Sequence, residues 1–524
     1  MRTELSSRPR PSTLASRLGR VCVAGAVVSA VGLASTHPAA HAAGFAVTTT
    51  ADGGAGSLRD AIDQANANPG PDTITVPAGT YTITVAGFNE DSNATGDFDI
   101  SDDVTIVGAG AGVTIIDAAG LDRAFDVVTN TTTLQDMTIT NGDVGSGAGG
   151  NIIERPGANL TVQDSIISNG FALSGGGIYG GSGVMTISRT EIINNTAQSI
   201  PGNGSTGGGI SKTGGAASTL TVTDSLIANN SAVNGTAAVY SSGDTTITNS
   251  TLTGNSSYAR TLLIEASGAF SGSSHLVHVT IAGNGTTGNV PGNAIALNVN
   301  PPASMAITVE GSLLQDNPIL GSPSNCAIIT NLGSIVSEGN NLTDDTTCTS
   351  LLQPSDQTNN HSTTFAALAD NGGPTRTLAL VTGSSAIDAA GNCGAATATD
   401  QRGIARPQGP ACDVGAYEAD VVVQPTTTTT TDPGTTTTTD PGTTTTTDPG
   451  TTTTTVAIDV TTTTDLGSGG GTTATDPFGF FTTTTVFHGG LPATGTNPAN
   501  SLWLAALVCS LGGLLILGAR RLAR

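Results

Sequence analysis

Seven stretches of the chain repeat one pattern of apolar and polar positions. Beginning at Thr132, Leu160, Met185, Leu220, Thr245, Ser274 and Ile307, they read TTLQDMTITNG, LTVQDSIISNG, MTISRTEIINN, LTVTDSLIANN, TTITNSTLTGN, SHLVHVTIAGN and ITVEGSLLQDN. The third position is always apolar (Leu134, Val162, Ile187, Val222, Ile247, Leu276, Val309), and so is the eighth (Ile139, Ile167, Ile192, Ile227, Leu252, Ile281, Leu314). An odd separation on one unbroken strand would put these two positions on opposite faces. Both reach one core only if the chain turns between them, at polar pairs such as Gln163-Asp164, Thr223-Asp224 or Glu310-Gly311. Each unit then closes on asparagine at one of its last two positions, as at Asn141, Asn194, Asn230 and Asn284. Strand, corner, strand, asparagine turn and a glycine-rich return of variable length make one coil of a right-handed parallel β-helix. Unit starts 25 to 35 residues apart suit that reading. Asparagines recurring at one corner can stack their amides from coil to coil. A β-sandwich would need hairpin turns and would not hold two apolar columns in phase.

Upstream, Ser57-Leu58-Arg59-Asp60-Ala61-Ile62-Asp63-Gln64-Ala65-Asn66 places Leu58, Ile62 and Ala65 on one helical face, with Ser57 as the N-cap. A helix here would lie over the open end of the first coil and blunt it. Ile74 to Tyr81 and Val104 to Gly108 supply the first strands.

The ends of the chain have a different pattern. Arg2, Arg8, Arg10, Arg17 and Arg20 precede a short apolar run, Val21 to Ala34, and then Ala40-His41-Ala42. This is the layout of a secretory signal peptide, with cleavage between Ala42 and Ala43. From Val421 to about His488 the composition is threonine, proline, glycine and aspartate, with DPGTTTTT in tandem from Asp432. Such a stretch cannot bury a core and is expected to be a disordered stalk, extending on the order of 200 Å. Ser501 to Gly518 is apolar enough for a helix of roughly 27 Å, followed by Arg520, Arg521 and Arg524 on the cytoplasmic side. The expected organisation is therefore signal peptide 1–42, cap and first coils 43–127, repeat core 128–320, a disulfide-bearing end 321–420, stalk 421–490 and tail 491–524.

Just ahead of the apolar span stands Leu491-Pro492-Ala493-Thr494-Gly495. Pentapeptide, span and basic tail together resemble the LPxTG sorting signal of Gram-positive surface proteins. The resemblance implies sortase attack on the Thr494 carbonyl, departure of Gly495 with the tail, and covalent transfer to peptidoglycan, so that the membrane is a transient partner. A retained single-pass helix is the alternative. GSLRDAIDQAN with DTITVPAGTY resembles the CSLREA-type segment of bacterial surface proteins, although Gly56 stands in place of its cysteine and Asp60 in place of its glutamate. ADNGGPTRTLAL, SSAIDAAGNC and TDQRGIARPQGPACDVGAYE resemble the choice-of-anchor Q domain. Those families imply a pectate-lyase-like β-helix and no particular ligand.

Composition narrows the function. Between Ala43 and the sorting signal lie 39 acidic against 9 basic residues, which excludes a nucleic-acid surface. Cys22 and Cys509 belong to the ends, and Cys326, Cys348, Cys393 and Cys412 remain, an even set in an exported chain. The pairing expected is between sequence neighbours, Cys326–Cys348 and Cys393–Cys412. No histidine lies near them, so no metal site is expected there.

Catalytic candidates are few. A lyase needs a base, and Lys212, the chain's only lysine, lies in the glycine-rich GGGISKTGG, where a solvated side chain is expected. A hydrolase needs gathered carboxylates; Asp164 and Asp224 share a corner position, but Arg189 stands between them. Asn89 to Asp99 is oxygen-rich and could hold calcium, yet it has no EF-hand spacing and is read as an acidic loop. His275 and His278, on a predicted strand, would point to opposite faces. No catalytic, metal or cofactor residue is assigned. The leading expectation is an exported, wall-anchored protein whose head serves adhesion to a surface, matrix or polysaccharide. A carbohydrate-active β-helix enzyme and a structural wall-layer component are the alternatives.

Overall fold

The computed structural model describes residues 41–420, apart from 89, 200–205, 287, 289–292, 320, 331, 392 and 394–396. Residues 1–40 of the expected signal peptide, the expected stalk and the expected sorting signal, Leu491 to Gly495 included, lie outside the described residues, whereas Ala42 and Ala43, at the expected cleavage point, lie within them.

The repeats wind into a parallel β-solenoid. One sheet of eleven strands runs from Gly44–Ala46 to Ser334–Gly339, a second of ten from Gly79–Thr82 to Leu342–Thr343, and a third of nine from Phe98–Ile100 to Cys326–Ile328. A fourth is made of two-residue strands, from Phe171–Ala172 to Ser322–Pro323. Pairing is parallel throughout the described sheets except between Pro318–Ile319 and Ser322–Pro323. The first two sheets carry the apolar columns of the repeat. Leu134, Val162, Ile187, Val222, Ile247, Leu276 and Val309 stand in register in the first, and Ile139 through Leu314 in the second. All of these side chains are fully buried.

The corner between them is a column of left-handed residues: Asp136, Asp164, Arg189, Asp224, Asn249, His278 and Gly311, with φ between 44° and 59°. Asp, Asn and Gly tolerate that conformation best, which is why the polar pair recurs there. A second left-handed column, Asn141, Asn169, Asn194 and Asn229, continues as Gly254, Gly283 and Asp316.

The last two positions of the repeat divide its labour. The first member turns the chain. The second points inward: Asn195, Asn230, Asn255, Asn284 and Asn317 are all fully buried. Each Nδ2 donates to the next Oδ1 at 2.9–3.0 Å, from Asn195 to Asn230, Asn255, Asn284 and Asn317. Each Oδ1 also accepts a backbone N–H of the preceding coil, as Asn255 does from Asn230. Where the repeat has Gly170 instead, the amide comes from Asn151, which donates to Asn195 at 3.1 Å. A buried turn thus keeps its polar groups satisfied.

The helix Leu58–Ala67 is capped by Ser57, whose Oγ accepts from Asp60 N–H, and it buries Leu58, Ala61, Ile62 and Ala65 against the first coils. At the other end the chain beyond Thr343 adds no further coil. It returns along the outer face of the second sheet: Arg376 meets Glu191 at 2.7 Å, Asn249 Nδ2 donates to the Thr399 carbonyl at 2.8 Å, and Gly415 N–H donates to the Gly311 carbonyl at 2.7 Å. Leu313, Leu342, Leu380, Ala386, Ala390 and Val414 form a second apolar cluster beneath this return. Disulfides join Cys326 to Cys348 and Cys393 to Cys412.

Candidate functional site

Lys212 is not the solvated loop residue its glycine-rich surroundings suggest. It ends the strand Ile210–Lys212 of the third sheet, and its side chain points inward. Side chains of both Lys212 and Glu154 are fully buried, and Lys212 Nζ lies 2.5 Å from Glu154 Oε2. Nζ donates a second bond to the Gly181 carbonyl at 2.8 Å. The two residues are two rungs apart, with Gly180 between them in register. A Cβ on Gly180 would stand 2.4 Å from Glu154 Oε2 and 2.7 Å from Lys212 Cδ, so the missing side chain is what lets the lysine reach. Burial lifts Glu154 to about 7 against the pull of Lys212, and burial likewise lowers Lys212. The one lysine therefore cannot meet a substrate.

The oxygen-rich segment holds the second concentration of charge. Asp99 and Asp126 face one another across adjacent rungs of the third sheet, outward between the core residues Phe98, Ile100, Phe125 and Val127. The loop before Phe98 folds over them. It is framed by Glu90, whose carboxylate accepts from Ser92, Ala94 and Thr95 N–H, and by Arg59, which donates to the Gly96 and Asp97 carbonyls. Asp97, Asp99, Asp122 and Asp126 are all at most 2% exposed. Arg123 contacts Asp97 and Asp126, and Arg155 bridges Asp126 and Asp91. Burial pushes Asp97 up to about 7 despite Arg123, and Asp99, with Asp97 repelling it, up to about 8. Carboxylate oxygens of Asp91, Asp99 and Asp126 lie within 4.8 Å of one another, the one group among the described residues that could hold a metal. Sequence reading found the loop but not Asp126, because only the coil geometry brings the next rung beneath it.

Elsewhere the candidates separate. Arg189 reaches back to Asp164 at 2.6 Å, so that corner is an ion pair and not a carboxylate pair. His275 is exposed on the strand Ser271–Val277, whereas His278 has left the strand and sits buried at the left-handed corner. They form no metal pair for that reason. A cavity of about 580 Å³ lies in the returning segment beside Asp388, Asp413, Tyr417 and Asp420.

The outer face of the first sheet is different again. Its central column reads Thr73, Thr105, Thr133, Thr161, Thr186, Thr221 and Thr246, then His275 and Thr308, in unbroken register. These side chains are partly to fully exposed. The returning segment covers the second sheet and leaves this face open.

Topology places the chain among parallel β-helices. Two solved structures resemble it. Pectate lyase Pel9A aligns at TM-score 0.40 and 16% identity over 72% of this chain and 96% of that one. A PL6 family polysaccharide lyase from Pseudopedobacter saltans aligns at TM-score 0.19 and 10% identity, over 57% of this chain and 93% of that one. No family model and no curated protein matches the sequence.

Proposed function

We propose that the chain is a wall-anchored surface protein whose solenoid head serves adhesion through the open threonine face of its first sheet. Anchoring rests on the sorting signal, with sortase and peptidoglycan as partners and Thr494 as the acyl donor. The head's role rests on the threonine column. Hydroxyls repeat at about 4.8 Å along a stiff column of uncharged side chains. Threonines held in a ladder have little freedom to lose on binding, which favours a flat partner such as a polysaccharide. Lys212, the residue an eliminative lyase would most simply use as base, is sealed in the core.

The full chain is tested on a panel of wall, plant and host polysaccharides, scoring retention, unsaturated-uronate absorbance and new reducing ends together. Retention without turnover, lost in the pair Thr161→Arg and Thr221→Arg, is the expected result. Turnover that disappears with one carboxylate change would replace adhesion with enzymology. For anchoring, wild type should fractionate with peptidoglycan and Thr494→Ala with the membrane; equal membrane retention of both would mean a permanent helix.

A further inference from the structure

Asp99 and Asp126 occupy outward positions, where a carboxylate normally meets water, yet the loop above leaves each at most 1% exposed. Asp99 Oδ2 accepts the Asn93 N–H at 2.8 Å, but Asp99 Oδ1 is buried without any hydrogen-bond partner. Asp122 Oδ2, in the next turn of the same cluster, is in the same position. A buried oxygen left in this way costs stability that some ligand can restore. The charges also fail to balance. Asp91, Asp97, Asp99, Asp122 and Asp126 have only Arg123 and Arg155 in ionic contact, since Arg59 is taken by Asp52.

The geometry names the missing charge. Donors on a calcium ion lie at about 2.4 Å, so two of them on opposite sides are about 4.8 Å apart. The oxygens of Asp91, Asp99 and Asp126 fall within that diameter, 4.8 Å. They are hard oxygen donors with no imidazole or thiolate among them, spread over the wider diameter that calcium needs, which suits calcium better than magnesium or a transition metal. We propose that Asp91, Asp99 and Asp126 form a calcium site that pins the loop to the third sheet. Arg155 stands in the ion's way and takes its place. Its Nη2 lies 2.6 Å from Asp91 Oδ1 and 2.6 Å from Asp126 Oδ2, bridging two of the three donors. With a third of its side chain exposed, it has room to withdraw into solvent. Ion and guanidinium are thus alternative occupants, and only the ion would also engage Asp99.

The test is calorimetric titration of the full, chelator-treated chain with calcium, with magnesium in parallel, and thermal melting with and without chelator. Wild type is expected to bind one calcium saturably and to melt higher with it. Asp99→Asn, nearly isosteric, and Asp91→Asn, whose half-exposed side chain can be changed without unfolding anything, should each weaken binding by about tenfold or more. Arg155→Gln, which removes the competitor, should bind more tightly than wild type. Binding unchanged in both aspartate variants would show only a diffuse acidic atmosphere and overturn the site. No heat and no melting shift in wild type and Arg155→Gln would do the same. An equal response to magnesium would overturn the choice of ion.

Discussion

Replacing Lys212 by methionine keeps the length and volume of the side chain and deletes its charge. The partner, Glu154, then keeps a carboxylate with no exposure and loses its only hydrogen-bonding partner, because Oε1 has none to begin with. Breaking a buried pair from one side costs about 3–5 kcal/mol, and Glu154→Leu should cost a similar amount by stranding the ammonium. Replacing both, as Glu154→Leu with Lys212→Met, removes the desolvation penalty together with the attraction. That double variant should fall between wild-type stability and about 1–4 kcal/mol above it. Coupling between the two sites should therefore be large and of opposite sign to the single effects. Urea denaturation followed by circular dichroism, with thermal melting as a check, reads all four proteins. If the double variant is as unstable as the two singles combined, the pair is held by packing around the Lys212 stem and the electrostatic account is wrong. If Lys212→Met costs less than about 1 kcal/mol, the carboxylate is already protonated when alone and burial dominates the pair.

Other outcomes follow from the same structure. Asn255→Ala takes away the amide donor to the Ile227 carbonyl and the acceptor of the Asn230 N–H at one buried level, and should cost at least about 2 kcal/mol in the same denaturation assay; a cost near that of a surface change would mean the ladder is incidental. Cys326→Ser with Cys348→Ser opens a loop of 22 residues and should cost about 3 kcal/mol, seen as a lower melting temperature than wild type without reductant. Gly180→Ala should destabilise, because its Cβ meets Glu154, Met185 and Lys212 at 2.4–2.7 Å; an unchanged melting temperature would show that the pair can shift aside. His278 is pushed down to about 3 by burial, with Arg406 adding to it. Its folded value lies below the ordinary 6.5, so its contribution is complete above pH 6.5 and is lost as pH falls from there toward 3. Raised carboxylates such as Glu154 and Asp413 act in the opposite sense, so the readout is the difference between wild type and His278→Gln across that range, and a flat difference would refute the assignment.

Much of the coil was legible because its period is written twice, in the third and eighth positions, and no other fold keeps both columns in phase. The helix and its Ser57 cap were legible for a local reason, a hydroxyl ahead of an amphipathic turn. What stayed hidden lies in the returns. GGNIIE, GGGIYG and GGGISK align in register as Ile152–Glu154, Ile178–Gly180 and Ile210–Lys212, three of the nine strands of the third sheet. Varying loop lengths between repeats masked that register, and the flanking glycines looked like loop. Those glycines are there because neighbouring coils leave no room: a Cβ on Gly208 would lie 2.4 Å from two backbone carbonyls of the next coil. Asp126 was invisible as a partner of the acidic loop for the same reason. Its neighbour Asp99 is adjacent in space by one rung but remote in sequence.

The returning segment also decides how the head would bear load. Pulling on the chain past Asp420 does not unwind the last coil from its tip. The force reaches Ala419 and Glu418 first, which are tied to Asp413, Asp400 and Arg406. It then passes to Gly311 and Thr280, in the two coils before the last. Those bonds cross to the flank of the solenoid and would be loaded together, as a patch in shear, before any coil is peeled away. Tension applied at Asp420 would therefore be borne along the flank of the solenoid and not by its last coil.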